Sequence, residues 1–159
     1  AGQPLDASLS AFDLFTGLWW PLRQKNLVAP RRETSWLVAK LYGGICVPHV
    51  RPDAVAERPL LAKVLGRAEP HDERNGPRHR TRFDTLLCSP LSTIETQLRW
   101  ALSVVAGAVN RKLAPGLDWA QLLDDLSIWD RADEHRRQRD IRDIWAEDYL
   151  QGVQQPERT

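Results

Sequence analysis

Residues 116–130, GLDWAQLLDDLSIWD, contain the apolar spacing that decides the fold. Asp118 is a typical helix N-cap, and Gln121, three residues later, completes a capping box. The apolar side chains that follow project within about 120° of one another on a helix. They are Trp119, Leu122, Leu123, Leu126 and Trp129. The segment is therefore predicted to be an amphipathic helix that packs on a core through this face.

The same stretch contains an adjacent pair of carboxylates, Asp124 and Asp125. Neighbouring residues on a helix diverge by about 100°, so both side chains lie off the apolar face and point apart. A general acid and a general base must converge on one substrate, which this pair does not do unaided. The stretch is interpreted as a packing element rather than as an active site.

Outward from this helix the periodic signals remain helical, without a convincing strand alternation. Helices are predicted at Ser8–Trp20, from Pro30–Arg31 to Gly43–Gly44, at Leu60–Arg67, after Ser89–Pro90, and from about Asp133 to Leu150, with Gln151 onward disordered. Prolines break the remainder of Cys46–Pro77 into loops. We predict an all-α helical bundle of two packed subdomains, residues 1–77 and 78–159, with one continuous domain as the alternative.

The helix after Ser89–Pro90 is apolar on two faces. Serine is a favoured N-cap, and proline is favoured at the first helical position. One face is formed by Leu91, Ile94, Leu98, Ala101, Leu102, Val105 and Val109, and the other by Trp100, Val104 and Ala108. Such a helix is either central in a bundle or shared with another chain, and we favour the central position.

Charge is distributed unevenly along the 159 residues, although the net charge is only +1. From Arg23 to Lys112 there are 16 Lys and Arg against 8 Asp and Glu, a net charge of +8. From Leu113 to Thr159 there are 6 against 11, a net charge of −5. A basic body beside an acidic end favours an anionic partner for one part and electrostatic docking for the other. An ordinary mixed surface is the alternative.

Cations and an aromatic ring share one predicted helix face at Arg32, Trp36 and Lys40, which are spaced i, i+4 and i+8. A ring flanked by cations is able to hold a backbone phosphate and to stack on a base. Alternatively, Trp36 is a core residue whose neighbours extend past it to solvent. The candidate nucleic-acid-binding residues are Arg23, Lys25, Arg32, Lys40, Arg78, Arg80, Arg82, Arg99, Arg111, Lys112 and Arg142. Arg142 is included because it has no acidic partner within the last predicted helix.

Other classes of site have little support in the sequence. Two cysteines do not make a disulfide framework, and Cys46 with His49 supplies only half of a zinc site. Phosphate-loop, dinucleotide and nucleophile-elbow motifs are absent from the sequence. The longest uncharged apolar run, which starts at Trp100, is too short for a membrane span. We expect a cytoplasmic protein that is not an enzyme and has no cofactor, metal or membrane partner.

Four motifs in order resemble the C-terminal half of the CasB family, the small subunit of the type I-E CRISPR surveillance complex Cascade. They are RTRFDTLL, ETQLRWALSVV, LDWAQLLDDLSIWD and IRDIWAEDYL, within Arg80–Leu150. The resemblance implies an all-α, non-catalytic protein of two helical subdomains, present as two stacked copies beside the backbone and large subunits. It also implies a basic surface along the guide RNA and the target and non-target DNA, which stabilises the R-loop in antiviral defence.

The residues that match the family pattern are Arg82, Arg99, Trp119, Leu123, Asp125, Leu126 and Trp129, of which the last five are interpreted as structural. We expect Asp125 to form a cap or a pair across the subdomain interface. The rival hypothesis is a helical protein–protein adaptor whose acidic end binds partners and whose arginines are only solvated.

Overall fold

The computed structural model describes residues 32–70, 79–130 and 140–154. The helices in these ranges are α1 (Arg32–Gly44), α2 (Leu61–Arg67), α3 (Arg80–Cys88), α4 (Glu95–Asn110), α5 (Trp119–Ser127) and α6 (Ile141–Gln154), with a 3-10 turn at Val55–Glu57. Within the same ranges, the β-structure is one parallel bridge between His49 and Leu117. The all-α prediction is confirmed. The predicted helix Ser8–Trp20 lies outside the described residues.

Helix α4 is the longest of the described helices and buries one face in the core. Its main buried face consists of Leu98, Ala101, Leu102, Val105 and Ala108. Trp100 and Val104, from the second apolar face, are partly buried against the same core. Both α2 and α3 pack on this helix. These contacts support the central position predicted from its two apolar faces, which stays a prediction.

Helices α2 and α6 cross at two glycines. A Cβ atom on Gly66 would overlap the carbonyl oxygen of Tyr149, and one on Gly152 would overlap the carbonyl oxygen of Lys63. Only glycine permits such a close approach of two backbones. Because α2 precedes residue 77 and α6 follows it, the two parts of the chain share one core. The division into subdomains at that residue stays a prediction.

Three tryptophans join distant segments through their indole N–H groups. Trp119 Nε1 donates to the carbonyl of Val47 at 3.0 Å, and Trp129 Nε1 donates to the carbonyl of Ser89 at 2.9 Å. Trp145 Nε1 donates to Asp125 Oδ2 at 2.8 Å, and the rings of Trp129 and Trp145 meet edge to face. Buried indoles stabilise a fold most when the N–H is satisfied. The tryptophan motif thus has the structural role that was predicted for it.

A buried carboxylate connects α6 to the start of α3. Glu69 accepts hydrogen bonds from the hydroxyl of Tyr149 and, at 3.2 Å, from the backbone N–H of His79. Burial, together with the neighbouring carboxylate, raises the pKa of Tyr149. The tyrosine therefore remains a neutral hydrogen-bond donor to Glu69.

The predicted helix start at Ser89–Pro90 is wrong, because α4 begins at Glu95. The Ser89 hydroxyl donates back to the carbonyl of Thr85 at 2.7 Å, at the end of α3. Pro90 opens a turn, in which its carbonyl accepts from the N–H of Thr93. Ser89 and Pro90 therefore end one helix and form a connection, rather than starting the next helix.

The N-cap of α5 is confirmed, but only half of the capping box forms. Asp118 Oδ1 accepts from the N–H of Gln121 at 3.0 Å. The Gln121 amide donates to Asp125 Oδ1 at 2.9 Å, whereas the N–H of Asp118 donates to the carbonyl of Pro59.

The disorder predicted from Gln151 onward is wrong for residues 151–154. These residues belong to α6, where Gly152 packs on α2.

Candidate nucleic-acid interface

Two cations from different helices share one carboxylate oxygen. Lys40 Nζ, from α1, lies 3.0 Å from Glu95 Oε1, and Arg99 Nη2, from α4, lies 3.0 Å from the same atom. All three side chains are about 40% exposed: Lys40 40%, Arg99 43% and Glu95 38%. The hydrogen bond from Lys40, reinforced by that from Arg99, lowers the pKa of Glu95. The cluster therefore carries two positive charges and one negative charge at neutral pH.

The predicted cation–aromatic face on α1 exists, with a different distribution of contacts. Arg32 Cζ lies 4.0 Å from the ring centroid of Trp36, within the range of a cation–π interaction. Trp36 is only partly buried, so it is not a fully enclosed core residue. Lys40 contacts Glu95 instead of the ring. The ring thus contacts one of the two expected cations.

A second arginine–indole contact joins α3 to α4. Arg82 Cζ lies 4.9 Å from the ring centroid of Trp100, and the His79 ring meets the same indole edge to face at 5.7 Å. Arg82 is exposed and Trp100 is half-buried. From helical spacing alone, Trp100 was predicted only as part of an apolar face, because its partners Arg82 and His79 lie in or next to another helix. Its position directly after Arg99 was the available signal.

We refer to Arg32, Trp36, Lys40, Arg82, Arg99 and Trp100 as the basic strip. These residues come from α1, α3 and α4, and the Lys40–Glu95–Arg99 cluster joins two of the three helices. Arg99 and Trp100 are consecutive on α4, so their side chains diverge by about 100°, and the Arg82–Trp100 contact lies beside the cluster rather than within it. Along α1, Arg32 and Lys40 are about 12 Å apart at 1.5 Å per residue.

Other predicted cations lie elsewhere. Arg111 and Lys112 follow the end of α4, about 18 Å along its axis from Arg99. The Arg111 guanidinium donates to the carbonyl of Gly107 at 3.4 Å, and the same carbonyl also accepts from the backbone N–H of Arg111. Arg80 precedes Arg82 by two positions, which places it on the other side of α3, where its charge acts on Tyr149.

Arg142, predicted to lack an acidic partner within its own helix, has one outside that helix. Its Nη2 lies 4.0 Å from Asp130 Oδ1, and its Cζ lies 5.1 Å from the ring centroid of Trp129. Because Asp130 precedes α6, spacing within the helix does not reveal this pair. Arg23, Lys25 and Arg78 lie outside the described residues.

Comparison with known proteins shows the family of this chain. Residues 1–150 match the family described as CRISPR-associated protein Cse2. The chain belongs to the Cse2 family. A search of curated proteins found no match. The family match extends beyond Arg80–Leu150, where the recognisable motifs lie, and it confirms the CasB resemblance.

Membership of the Cse2 family identifies this chain as a subunit of the CRISPR Cascade complex, where it assembles with other subunits. The family is that of a structural, generally non-catalytic subunit.

Each described helix is too short or too polar to span a membrane. Within the described ranges, no three His, Cys, Asp or Glu side chains are grouped to hold a metal ion. His49 Nδ1 instead accepts the backbone N–H of Trp119 at 3.2 Å.

The adjacent carboxylates of this Cse2-family chain have different environments. Asp124 is exposed, whereas both oxygens of Asp125 accept hydrogen bonds, from Gln121 and from Trp145. Burial raises the pKa of Asp125 to about 6, although the two hydrogen bonds oppose the shift. The contact with Trp145 joins α5 to α6, so Asp125 pairs between helices.

Proposed function

We propose that this Cse2-family chain is a non-catalytic subunit that binds nucleic acid through the basic strip. Its role is to stabilise the R-loop, meaning the guide RNA–target DNA duplex and the displaced strand, in antiviral defence. The observation that carries the proposal is the convergence of Lys40 and Arg99, from separate helices, on one exposed carboxylate. Two further arginines stack on indoles within the same strip.

The chemistry of the strip suits a nucleic-acid backbone. Lysine and arginine neutralise phosphates and release counterions, and indole faces offer stacking surfaces for unpaired bases. R-loop formation is nearly balanced in free energy, so a few contacts to the backbone are able to tip it. A second copy of the chain would extend the strip into a longer groove. The few cations of each copy would then add up to enough phosphate contacts to hold a strand.

The test is the affinity for a fluorescent poly-dT oligonucleotide of roughly 20 nucleotides, measured by anisotropy over a range of salt concentrations. If each of the four strip cations contacts one phosphate, the affinity falls roughly 50-fold between about 50 and 200 mM salt. An affinity that does not change over this range would contradict the proposal.

Charge reversal locates the surface. The double variant R32E/K40E is expected to weaken binding. The slope of log affinity against log salt concentration is expected to become less steep by about 1.4, which is the contribution of two single-strand phosphate contacts. The single variant R99E is expected to weaken binding as well. R111E/K112E is the matched control, since it reverses two charges at the far end of α4. Equal losses in both double variants would indicate an effect of net charge alone. Circular dichroism checks that helicity is retained.

One observation favours the rival, a protein–protein adaptor. Glu95 partly neutralises Lys40 and Arg99, and Asp130 faces Arg142. An adaptor would recover the other Cascade subunits equally well after nuclease treatment and would have no affinity of its own for DNA or RNA. The strip hypothesis predicts measurable affinity at low salt and recovery that decreases after nuclease treatment.

A further inference from the structure

Glu95 lies within the basic strip and contacts two of its cations through one oxygen. One oxygen of Glu95 accepts from Lys40 Nζ and Arg99 Nη2 at 3.0 Å each, with Arg99 Nε at 3.3 Å. Lysine as a point charge and arginine as a fork are the two standard ligands of a backbone phosphate. The two cations are thus held in a geometry for binding an anion, and the anion is part of the chain.

The contacts of Glu95 are exchangeable. Its side chain is 38% exposed, and exposed ion pairs contribute little to stability. A backbone phosphate has the same charge and offers a comparable oxygen. The hydrogen bonds from both cations lower the pKa of Glu95, so the carboxylate is ionised throughout the neutral range.

We propose that Glu95 competes with backbone phosphate for Lys40 and Arg99, and so limits the affinity of the strip for nucleic acid. A phosphate must displace the carboxylate before it contacts both cations. A strand that also reaches the arginine–indole contacts at Trp36 and Trp100 offsets that displacement, whereas an isolated phosphate does not. Glu95 is thus a specificity-determining residue of the nucleic-acid surface. This inference rests on the proposed function.

The test is Glu95→Gln, which keeps an acceptor oxygen of similar shape and removes the charge. Its affinity for the poly-dT oligonucleotide at low salt is expected to rise roughly three- to tenfold, the size of one or two exposed ion pairs. Glu57→Gln is the matched control. It removes the same charge at an exposed site, and no ion pair of Glu57 with another described residue is found. Thermal unfolding of both variants checks the fold.

The outcomes separate the two proposals. A gain in E95Q that E57Q does not show supports the competition, including the case in which only E95Q binds. If the unmodified chain binds DNA with strong salt dependence and E95Q gains nothing, or gains no more than E57Q, the role of Glu95 is refuted and the proposed function stands. If neither the unmodified chain nor E95Q binds at low salt, the proposed function and the role of Glu95 both fail.

Discussion

Asp125 makes the stability of this protein depend on pH, and the direction of the dependence is set by burial. The pKa of Asp125 is raised from 3.8 to about 6, chiefly because burial disfavours the carboxylate. The folded state therefore binds this proton more tightly than the unfolded state. The resulting stabilisation is complete below about pH 3.8 and is lost as the pH rises through 6.

The magnitude follows from the size of the shift. A difference of about 2.2 pKa units corresponds to about 3 kcal/mol between the fully protonated and fully ionised limits. Between pH 5 and pH 7.5 the loss is about 1.4 kcal/mol. The remainder is lost below pH 5, because Asp125 in the unfolded state is already mostly ionised at that pH. Asp125→Asn removes this dependence. Its carbonyl is able to accept from the Trp145 indole, and the Gln121 amide is able to turn and accept from the new amide nitrogen.

The assay is urea unfolding followed by circular dichroism at about pH 5, 6 and 7.5. The free energy of unfolding of D125N minus that of the unmodified protein is expected to increase by about 1.4 kcal/mol across this range, whatever the fixed offset between them. Asp53→Asn, at an exposed loop position, is the control, and its difference is expected to stay constant. A constant difference for D125N as well would refute the argument, because Asp125 would then be ionised throughout.

Four further substitutions test the packing. Gly152→Ala pushes a Cβ into the facing backbone of α2 and is expected to destabilise the fold by about 1–3 kcal/mol. Gly107→Ala has open space around the new Cβ in α4 and is expected to stabilise the fold by about 0.5–1 kcal/mol. Equal urea midpoints for the two variants would contradict this contrast. Leu126→Ala removes a fully buried side chain and is expected to lower the free energy of unfolding by about 2–5 kcal/mol, so a loss below 1 kcal/mol counts against the assigned core. Tyr149→Phe leaves the buried Glu69 short of a donor, with an expected loss of about 1–3 kcal/mol in the same assay, and an unchanged midpoint would show that the hydroxyl contributes nothing.

Much of the fold could be predicted from local spacing. The α1 and α2 segments were predicted to within a residue or two, because proline, glycine pairs and the 3.6-residue period act within one helix. The N-cap at Asp118 followed from the same local rules. Ser89 shows where such rules stop. Its hydroxyl bonds back into α3, and its carbonyl accepts from an indole forty residues later, so tertiary contacts decide its role.

The candidate site was less predictable than the fold, for the same reason. The Glu95–Arg99 pair is spaced i, i+4 and is visible in the sequence, yet Lys40 joins it only because the fold brings this residue of α1 to Glu95. Similarly, the partners of Arg142 and Trp100 lie on other segments. A sequence gives the types and order of charges, but not which opposite charges the fold brings together.

The net charge of +8 over Arg23–Lys112 does not by itself give the strength of an anion-binding surface. Glu95, one of the eight acids already counted in that value, opposes Lys40 and Arg99 directly, and part of the excess positive charge lies at the far end of α4, where the Arg111 guanidinium donates to the Gly107 carbonyl. If the strip binds nucleic acid as proposed, we expect its affinity to depend on a few cations and on the carboxylate that competes for them, rather than on total charge. Because each exposed contact contributes little, our proposal is that the strip holds a strand that has already been opened, rather than opening the duplex itself.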